Sequence, residues 1–456
     1  MGNVTGASSA PDTAPSRRER LGAQRQRHQR ERRVSFTVYG VSLVVLGLLI
    51  PVLGLVGLRT LLNSRDGELL NPVLDPSQPL YQAMVPPSPT LLVLQLDPTE
   101  TVVGAALLTL PTFESPGGSV LLLPTLLTGD IPEVGEMPIQ AAYAFSGLDA
   151  ARSVTEWALH LGIERAVAIS ATEWTELIAA TGPLEVVNPD TLHDADHQVI
   201  YAPGEVTLEP ADVPAYAAHL DENENHLNRL LRQELVWNAW LSALAVNPSV
   251  LGEFDFGNEQ TDILSLGPLP SASSADEQNG NNLSDDQPNE AVNDADLLVR
   301  RFMSQLGAGD HTVVQAPLIV DANHPSNGSP STEPGELTFF RLDHDQMARL
   351  VPRIIPFPAG YATNTRPLVK VLDGSGDQSM IPLVARLAIE VGGQVSMIGN
   401  AENFDFTTTE IMYAEESWRP YVETLQETLG FGTAVKLEDM DENSEVVVLI
   451  GSDARS

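Results

Sequence analysis

PLVKVLDGSGDQSMIPLVARLAIEVGGQVSMIGN, residues 367–400, reads as strand, turn, helix and strand. Leu368–Leu372 is a short apolar-rich run that ends at Asp373-Gly374-Ser375-Gly376, a tight-turn sequence. Met380–Val391 has apolar residues at helical spacing, and Gly392-Gly393 stops it before a second strand at Val395–Ile398. The pattern continues with a strand at Glu410–Tyr413, a helix at Ser417–Leu429, and strands at Ala434–Leu437 and Val446–Ile450. Strands alternating with helices predict a small α/β domain over residues 366–456.

Moving upstream, a proline-rich connector (Pro352 to Thr365) separates this unit from a larger domain, residues 90–355. Thr90–Leu96 (TLLVLQL) and Val102–Leu110 (VVGAALLTL) read as buried strands. A helix is expected at Leu148–Leu161, stopped by Gly162, then a strand at Val167–Ile169 and a helix at Thr172–Thr181. After a strand at Leu184–Val187, a long helical stretch runs from Asp212 to about Ala245. Helix Ala295–Leu306, strand His311–Val320 and a strand–helix pair over Glu336–Val351 complete the domain. Between them, Gly267 to Asp296 is polar, acidic and nearly free of large apolar groups, so it is expected to be a disordered loop.

At the other end, eight arginines between Arg17 and Arg33 precede an uncharged run whose core is FTVYGVSLVVLGLLIPVLGLVGL, residues 36–58. It is long enough to span a hydrocarbon layer of ~30 Å. A cleavable signal peptide would have a shorter apolar region and an A-x-A-like site. Arg59-Thr60-Leu61-Leu62-Asn63 offers no such site, so an uncleaved signal-anchor is expected. Residues 1–33 then form an arginine-rich cytoplasmic tail, 34–58 the transmembrane helix, and 59–89 a proline-dotted stalk outside the cell membrane.

The first 58 residues carry a net +5 and the remainder −41, within a whole-chain charge of −36. Such a surface repels nucleic acid, which is not expected as a partner. With no cysteine, thiol catalysis, disulfides and thiolate metal sites are excluded.

Two stretches resemble the LytR-CpsA-Psr family of bacterial cell-wall proteins. One is Ile139–Gly147 (IQAAYAFSG) with Leu161-Gly162-Ile163 and Thr172–Pro189 (TEWTELIAATGPLEVVNP). The other is similar to the LytR C-terminal module: the opening strand and turn at Val369–Gly376, Gly399–Thr409 (GNAENFDFTTT), and the closing strand Val446–Asp453 (VVVLIGSD). The resemblance implies a membrane-anchored α/β mixed-sheet domain followed by the small C-terminal α/β domain. It also implies transfer of a glycopolymer from a polyprenyl-pyrophosphate carrier to peptidoglycan. Arginines and a carboxylate-held Mg or Mn would hold the pyrophosphate.

The chain departs from the family at most of those positions. Pro87-Ser88-Pro89-Thr90 stands where R-x-D-T is expected, and Thr109-Leu110-Pro111-Thr112-Phe113 where S-I-P-R-D is expected. Ala218 and Leu220 replace two further arginines, and no arginine lies between Asp66 and Ala151. Arg229, Arg232 and Gln233 alone match, on the R-x-x-R-Q helix. They are either a remnant anion site or ordinary surface residues beside Glu234. No catalytic residue, metal site or cofactor is expected, and Mg or Mn only if the family activity is retained.

Other patterns read as structural. His193-Asp194-Ala195-Asp196-His197, and His219 with Asp221, Glu222, Glu224 and His226, have metal-ligand types, but a solvated acidic turn is expected for each. Gly374-Ser375-Gly376 lacks a phosphate-loop pattern and reads as a strand–helix turn. Tyr143, Phe145, Trp157 and Trp174 are expected in the core or lining a pocket.

Three functions remain open: a catalytically degenerate envelope protein (a pseudoenzyme) that binds or regulates, an active transferase with a rearranged site, and a structural scaffold. The expected partners are the membrane, polyprenyl lipid, cell-wall glycan or other envelope proteins. The topology is testable: a reporter fused after Ser456 should be active only outside the cytoplasm, and cytoplasmic activity would refute the orientation.

Overall fold

The computed structural model describes residues 64–65, 68–69, 73–221, 224–252, 288–320, 339–362, 365–440 and 443–455. The expected cytoplasmic tail and span (1–58) and residues 267–287 of the expected loop lie outside them. Among the described residues no helix is long and apolar enough to cross a membrane. The chain divides into two compact units, residues 1–74 and 75–456. In the first, Ser64–Arg65 pairs with Glu68–Leu69.

Among the described residues the second unit holds two large sheets, of five and six strands, and four two-stranded ones. Its elements in chain order begin with β1 (Gln82–Met84), β2 (Thr90–Leu96), β3 (Val102–Thr109) and β4 (Gly118–Leu123). They continue with α1 (Ile139–Leu159), β5 (Arg165–Ile169), α2 (Ala171–Ala179), β6 (Leu184–Asn188) and β7 (Gly204–Leu208). Next come α3 (Val213–Ala218), α4 (His226–Val246), α5 (Pro288–Ala308), β8 (His311–Gln315) and α6 (His344–Ile354). The C-terminal domain adds β9 (Leu368–Asp373), α7 (Ile381–Glu390), β10 (Gln394–Asn400), β11 (Glu410–Tyr413), α8 (Arg419–Leu429), β12 (Thr433–Lys436) and β13 (Val446–Ile450).

The first sheet is mixed, in the order β8-β4-β3-β2-β5. β3 pairs antiparallel with β2 and β4, while β5 and β8 join the edges in parallel. Its strands are apolar without alternation because both faces are covered. Leu91, Val93, Ala106, Leu108, Val120 and Leu122 point into one core, with α2, α3, α4 and α5. The intervening Leu92, Leu94, Ala105, Leu107, Leu121 and Leu123 point into a second core, with α1 and α6.

Capping fixes several helix starts. Ser170 and Glu173 form a reciprocal capping box on α2, and the Asn225 side chain accepts from the Leu227 N–H at 3.0 Å on α4. The long helical stretch expected from Asp212 is therefore two helices, Val213–Ala218 and His226–Val246. Likewise Pro317 ends β8 early, and Leu318–Val320 turns to pair antiparallel with Phe340–Leu342. Helix α5 begins at Pro288, inside the segment expected to be a loop. Proline at a helix start has a fixed φ and no N–H to lose, which suits it to that position. Helix α1 starts nine residues before the expected Leu148, and its backbone breaks at Ser146–Gly147, where Gly147 has φ 75°.

The C-terminal sheet runs β12-β11-β13-β9-β10-β1. Its core joins Val369, Val371, Val395, Val446 and Val448 to Val384, Ala388, Val422 and Leu425 of α7 and α8. The sixth strand, β1, comes from residues 82–84 and pairs antiparallel with β10. Those residues fall in the segment expected to be a stalk; the pairing is made through the backbone, which carries no apolar signature.

Two-sided burial has a direct consequence. Leu107 and Leu108 are adjacent, fully buried, and face opposite cores. Leu107→Ala and Leu108→Ala should each lower unfolding free energy by about 2–5 kcal/mol in chemical denaturation. A near-zero effect for either would mean that one face is open.

Candidate functional site

The residues expected to mark an anion site lie on the first turns of α4. Its inward face carries Arg229, Arg232 and Gln233, followed by Val236, Trp237 and Trp240, all buried. Trp237 and Trp240 pack on Trp174 of α2 with ring centroids 5.1 and 5.2 Å away, filling the space between helices and sheet. Because this face is turned inward, Arg229 and Arg232 are not surface arginines: they are 8% and 0% exposed.

A buried guanidinium needs partners. Arg232 is ion-paired through its two Nη groups: both Glu224 carboxylate oxygens accept from it, Oε2 at 2.7 Å, and so does the His219 carbonyl, while its buried Nε has no hydrogen-bond partner among the described residues. Gln233 donates through Nε2 to the carbonyls of Val103 at 2.8 Å and Ala217 at 3.3 Å, tying α4 to β3 and α3. A side chain at Gly104 would meet Gln233 Nε2 at 2.9 Å, so the glycine admits this contact. Gln233 is thus a structural brace.

Arg229 differs. Its Nη2 donates to Thr125 Oγ1 at 2.9 Å and to His226 Nδ1 at 3.1 Å. Among the described residues it has no carboxylate partner within salt-bridge distance. Burial, reinforced by the charge of Arg232 and opposed by Glu224, draws its pKa down to about 10. It therefore remains charged at neutral pH. Burial and the adjacent Arg229 push His226 down to about 4, so the imidazole is neutral and accepts from Arg229.

The two histidine-acid segments meet nearby. Asp221 accepts from the His193 backbone N–H at 3.2 Å, and its carboxylate lies 2.7 Å from His219 Nε2 and 3.4 Å from His193 Nδ1. Among the described residues no group of three or more His, Asp or Glu side chains is arranged to hold a metal. Sequence reasoning missed Glu224 and Thr125 as partners of the arginines. An acid just before the Asn225 cap was the available signal for the first. Nothing in the sequence pointed to Thr125.

Elsewhere the two segments aligned with R-x-D-T and S-I-P-R-D carry Pro87, Pro89, Thr112 and Phe113 at the arginine and aspartate positions, and the neighbouring hydroxyls Thr90, Ser88 and Thr109 are satisfied by main-chain groups. Thr90 Oγ1 accepts from the Glu164 N–H at 2.9 Å. Ser88 exchanges hydrogen bonds with the Phe357 backbone. Thr109 Oγ1 donates to the Ile354 carbonyl at 2.6 Å. The Gly374 turn is closed by Phe406, whose ring would lie 2.7 Å from an added Cβ. Of the four aromatics singled out, Trp174 is buried, Trp157 and Tyr143 are partly buried against the second core, and Phe145 is exposed.

The asymmetry between the arginines gives unequal stability effects. Glu224→Ala leaves the Arg232 charge buried and unpaired, and should cost about 3–5 kcal/mol. Arg229→Met removes an unpaired buried charge, and should change stability by less than about 1 kcal/mol. His226 adds a pH signature. The unfolded chain takes up a proton near 6.5, whereas the folded state does so only near 4. Stability should therefore fall as pH drops through that window, by roughly 1–2 kcal/mol once partial exposure of the ring is allowed for. A His226→Gln variant, followed by thermal melting, should flatten that part of the profile.

Residues 367–453 match the family described as LytR cell envelope-related transcriptional attenuator. No curated protein sequence matches the chain. Solved structures similar to it include B. subtilis TagV, at 13% identity over 59% of this chain and 97% of that one, with a TM-score of 0.39. TagT bound to LIIa-WTA is 16% identical over 62% of this chain and 92% of that one, with a TM-score of 0.37. The LytR-CPS2A-psr family protein YwtF (TagT) with bound octaprenyl pyrophosphate lipid is 16% identical over 64% and 95%, with a TM-score of 0.36. The C-terminal domain of this chain, β9 to β13 with α7 and α8, belongs to the LytR C-terminal family.

Proposed function

We propose that this is a cell-envelope protein that binds an anionic polyprenyl-phosphate or glycan ligand without transferring it, and acts in the binding or regulation of envelope assembly. One observation carries the reading. Of the two arginines matching the family's anion-binding helix, Arg232 is neutralised by Glu224, while Arg229 has no acidic partner among the described residues. A single buried cation beside the start of α4 suits one phosphate group. It falls short of a pyrophosphate transition state, which needs several fixed charges or a metal. In the same proposal the chain is anchored by residues 34–58, with the bulk outside the cell membrane and no resident cofactor.

The experiment is an assay of the purified protein with a polyprenyl-pyrophosphate analogue and Mg²⁺ or Mn²⁺, measuring retention and turnover together. Retention without turnover is expected. Arg229→Met should weaken retention about 10–100-fold, the loss of one charge-assisted hydrogen-bonding partner. Neither retention nor turnover would favour a scaffold. Metal-dependent turnover that disappears in Arg229→Ala would establish an active transferase instead.

A further inference from the structure

The C-terminal family domain supplies five strands, two α-helices and every fully buried residue of its core from residues 367–453, with Val85 and Phe357 packed against that core from outside. Its β10 edge is nevertheless covered by a segment from far upstream. β1 pairs with β10 at Gln82↔Gly399, Ala83↔Ile398 and Met84↔Met397. On either side of that ladder the Leu80 N–H donates to the Ala401 carbonyl at 2.8 Å, Asn400 N–H to Tyr81 at 2.7 Å, and Val85 N–H to Ser396 at 2.9 Å.

Two side chains of the domain extend this recognition. Asn400, 1% exposed, donates through Nδ2 to the carbonyls of Pro76 and Gln78, both at 2.7 Å. Gln378 donates to the Pro76 carbonyl and to Asn400 Oδ1. Gly399 permits the approach, since a Cβ there would stand 2.1 Å from the Tyr81 carbonyl oxygen. All of these features read main chain. The segment adds one apolar anchor, Val85, partly buried against the domain's core, whereas Leu80 and Met84 are 51% and 71% exposed, and Leu80 is held at φ 65°, where a non-glycine residue is strained.

A surface that grips carbonyls and amides, docks one apolar side chain and leaves others such as Leu80 and Met84 in solvent has the chemistry of strand addition. We propose that the β10 edge, with Asn400 and Gln378, is a docking site for an extended, proline-containing polypeptide, and that residues 75–85 of the same chain are its occupant. The segment is then a releasable self-ligand that shields the edge, and not an integral part of the domain.

The test inserts a specific protease site between Val85 and Pro86 of the whole chain and adds a labelled peptide of residues 75–85. The uncleaved protein should not bind it, because the tethered segment competes at high effective concentration. After cleavage the peptide should bind saturably by fluorescence anisotropy, with an unchanged circular dichroism spectrum. Asn400→Ala and Gly399→Val should each weaken binding at least tenfold. Cleavage that abolishes cooperative melting, or a cleaved, folded protein that binds no peptide, would overturn the proposal. The readout is independent of any lipid or glycan ligand.

Discussion

The constraint on which the larger domain depends is that β2, β3 and β4 have no solvent face. The apolar residues of these strands alternate between two cores, so helices must cover both sides. Helix α4 is one of the covers, and its position follows from that need. The polar residues on its buried face are consequently inside the protein whatever their chemistry, and each requires a partner. Gln233 finds backbone carbonyls, Arg232 finds Glu224, and Arg229 finds only neutral groups among the described residues.

This ordering explains why two arginines three residues apart have different capacities. An ion pair with both carboxylate oxygens engaged has no remaining attraction for an anion, and an incoming phosphate would have to displace Glu224. The arginine held by a hydroxyl and a neutral imidazole has no ion-pair partner among the described residues and stays charged at neutral pH. Its neutral histidine partner is itself a product of the site: protonation of His226 would set two cations 3.1 Å apart.

Much of the architecture was legible in the sequence, because its signals are local. The alternation of the C-terminal domain and the apolar strands β2 and β3 both express periodicity or a short motif. What was not legible depends on partners far along the chain. Residues 82–84 show no strand pattern of their own, and only β10 makes them one. At the site, Arg229, Arg232 and Gln233 could be named, but their burial could not. Whether an arginine is free or neutralised depends on Glu224 and Thr125, which a motif does not contain.

The absence of cysteine sharpens the role of such long-range pairings. A disulfide ties distant segments by removing freedom from the unfolded chain; this chain has none and must use contacts present only in the folded state. The same constraint recurs where the two domains meet. Ser88 and Phe357 exchange hydrogen bonds just ahead of β2, Gly162 donates to the Ala359 carbonyl, and Arg366 donates to the carbonyls of His160 and Gly393. These ties act on main-chain groups at the start of the first sheet, at the end of α1 and at the entry to β9. Each is individually modest, since a net hydrogen bond contributes about 0.5–1.5 kcal/mol. A junction built from several such bonds resists small perturbations while its separate members remain able to open. That property distinguishes it from a covalent staple, and it is the physical setting in which a short strand such as residues 82–84 can be both ordered and exchangeable.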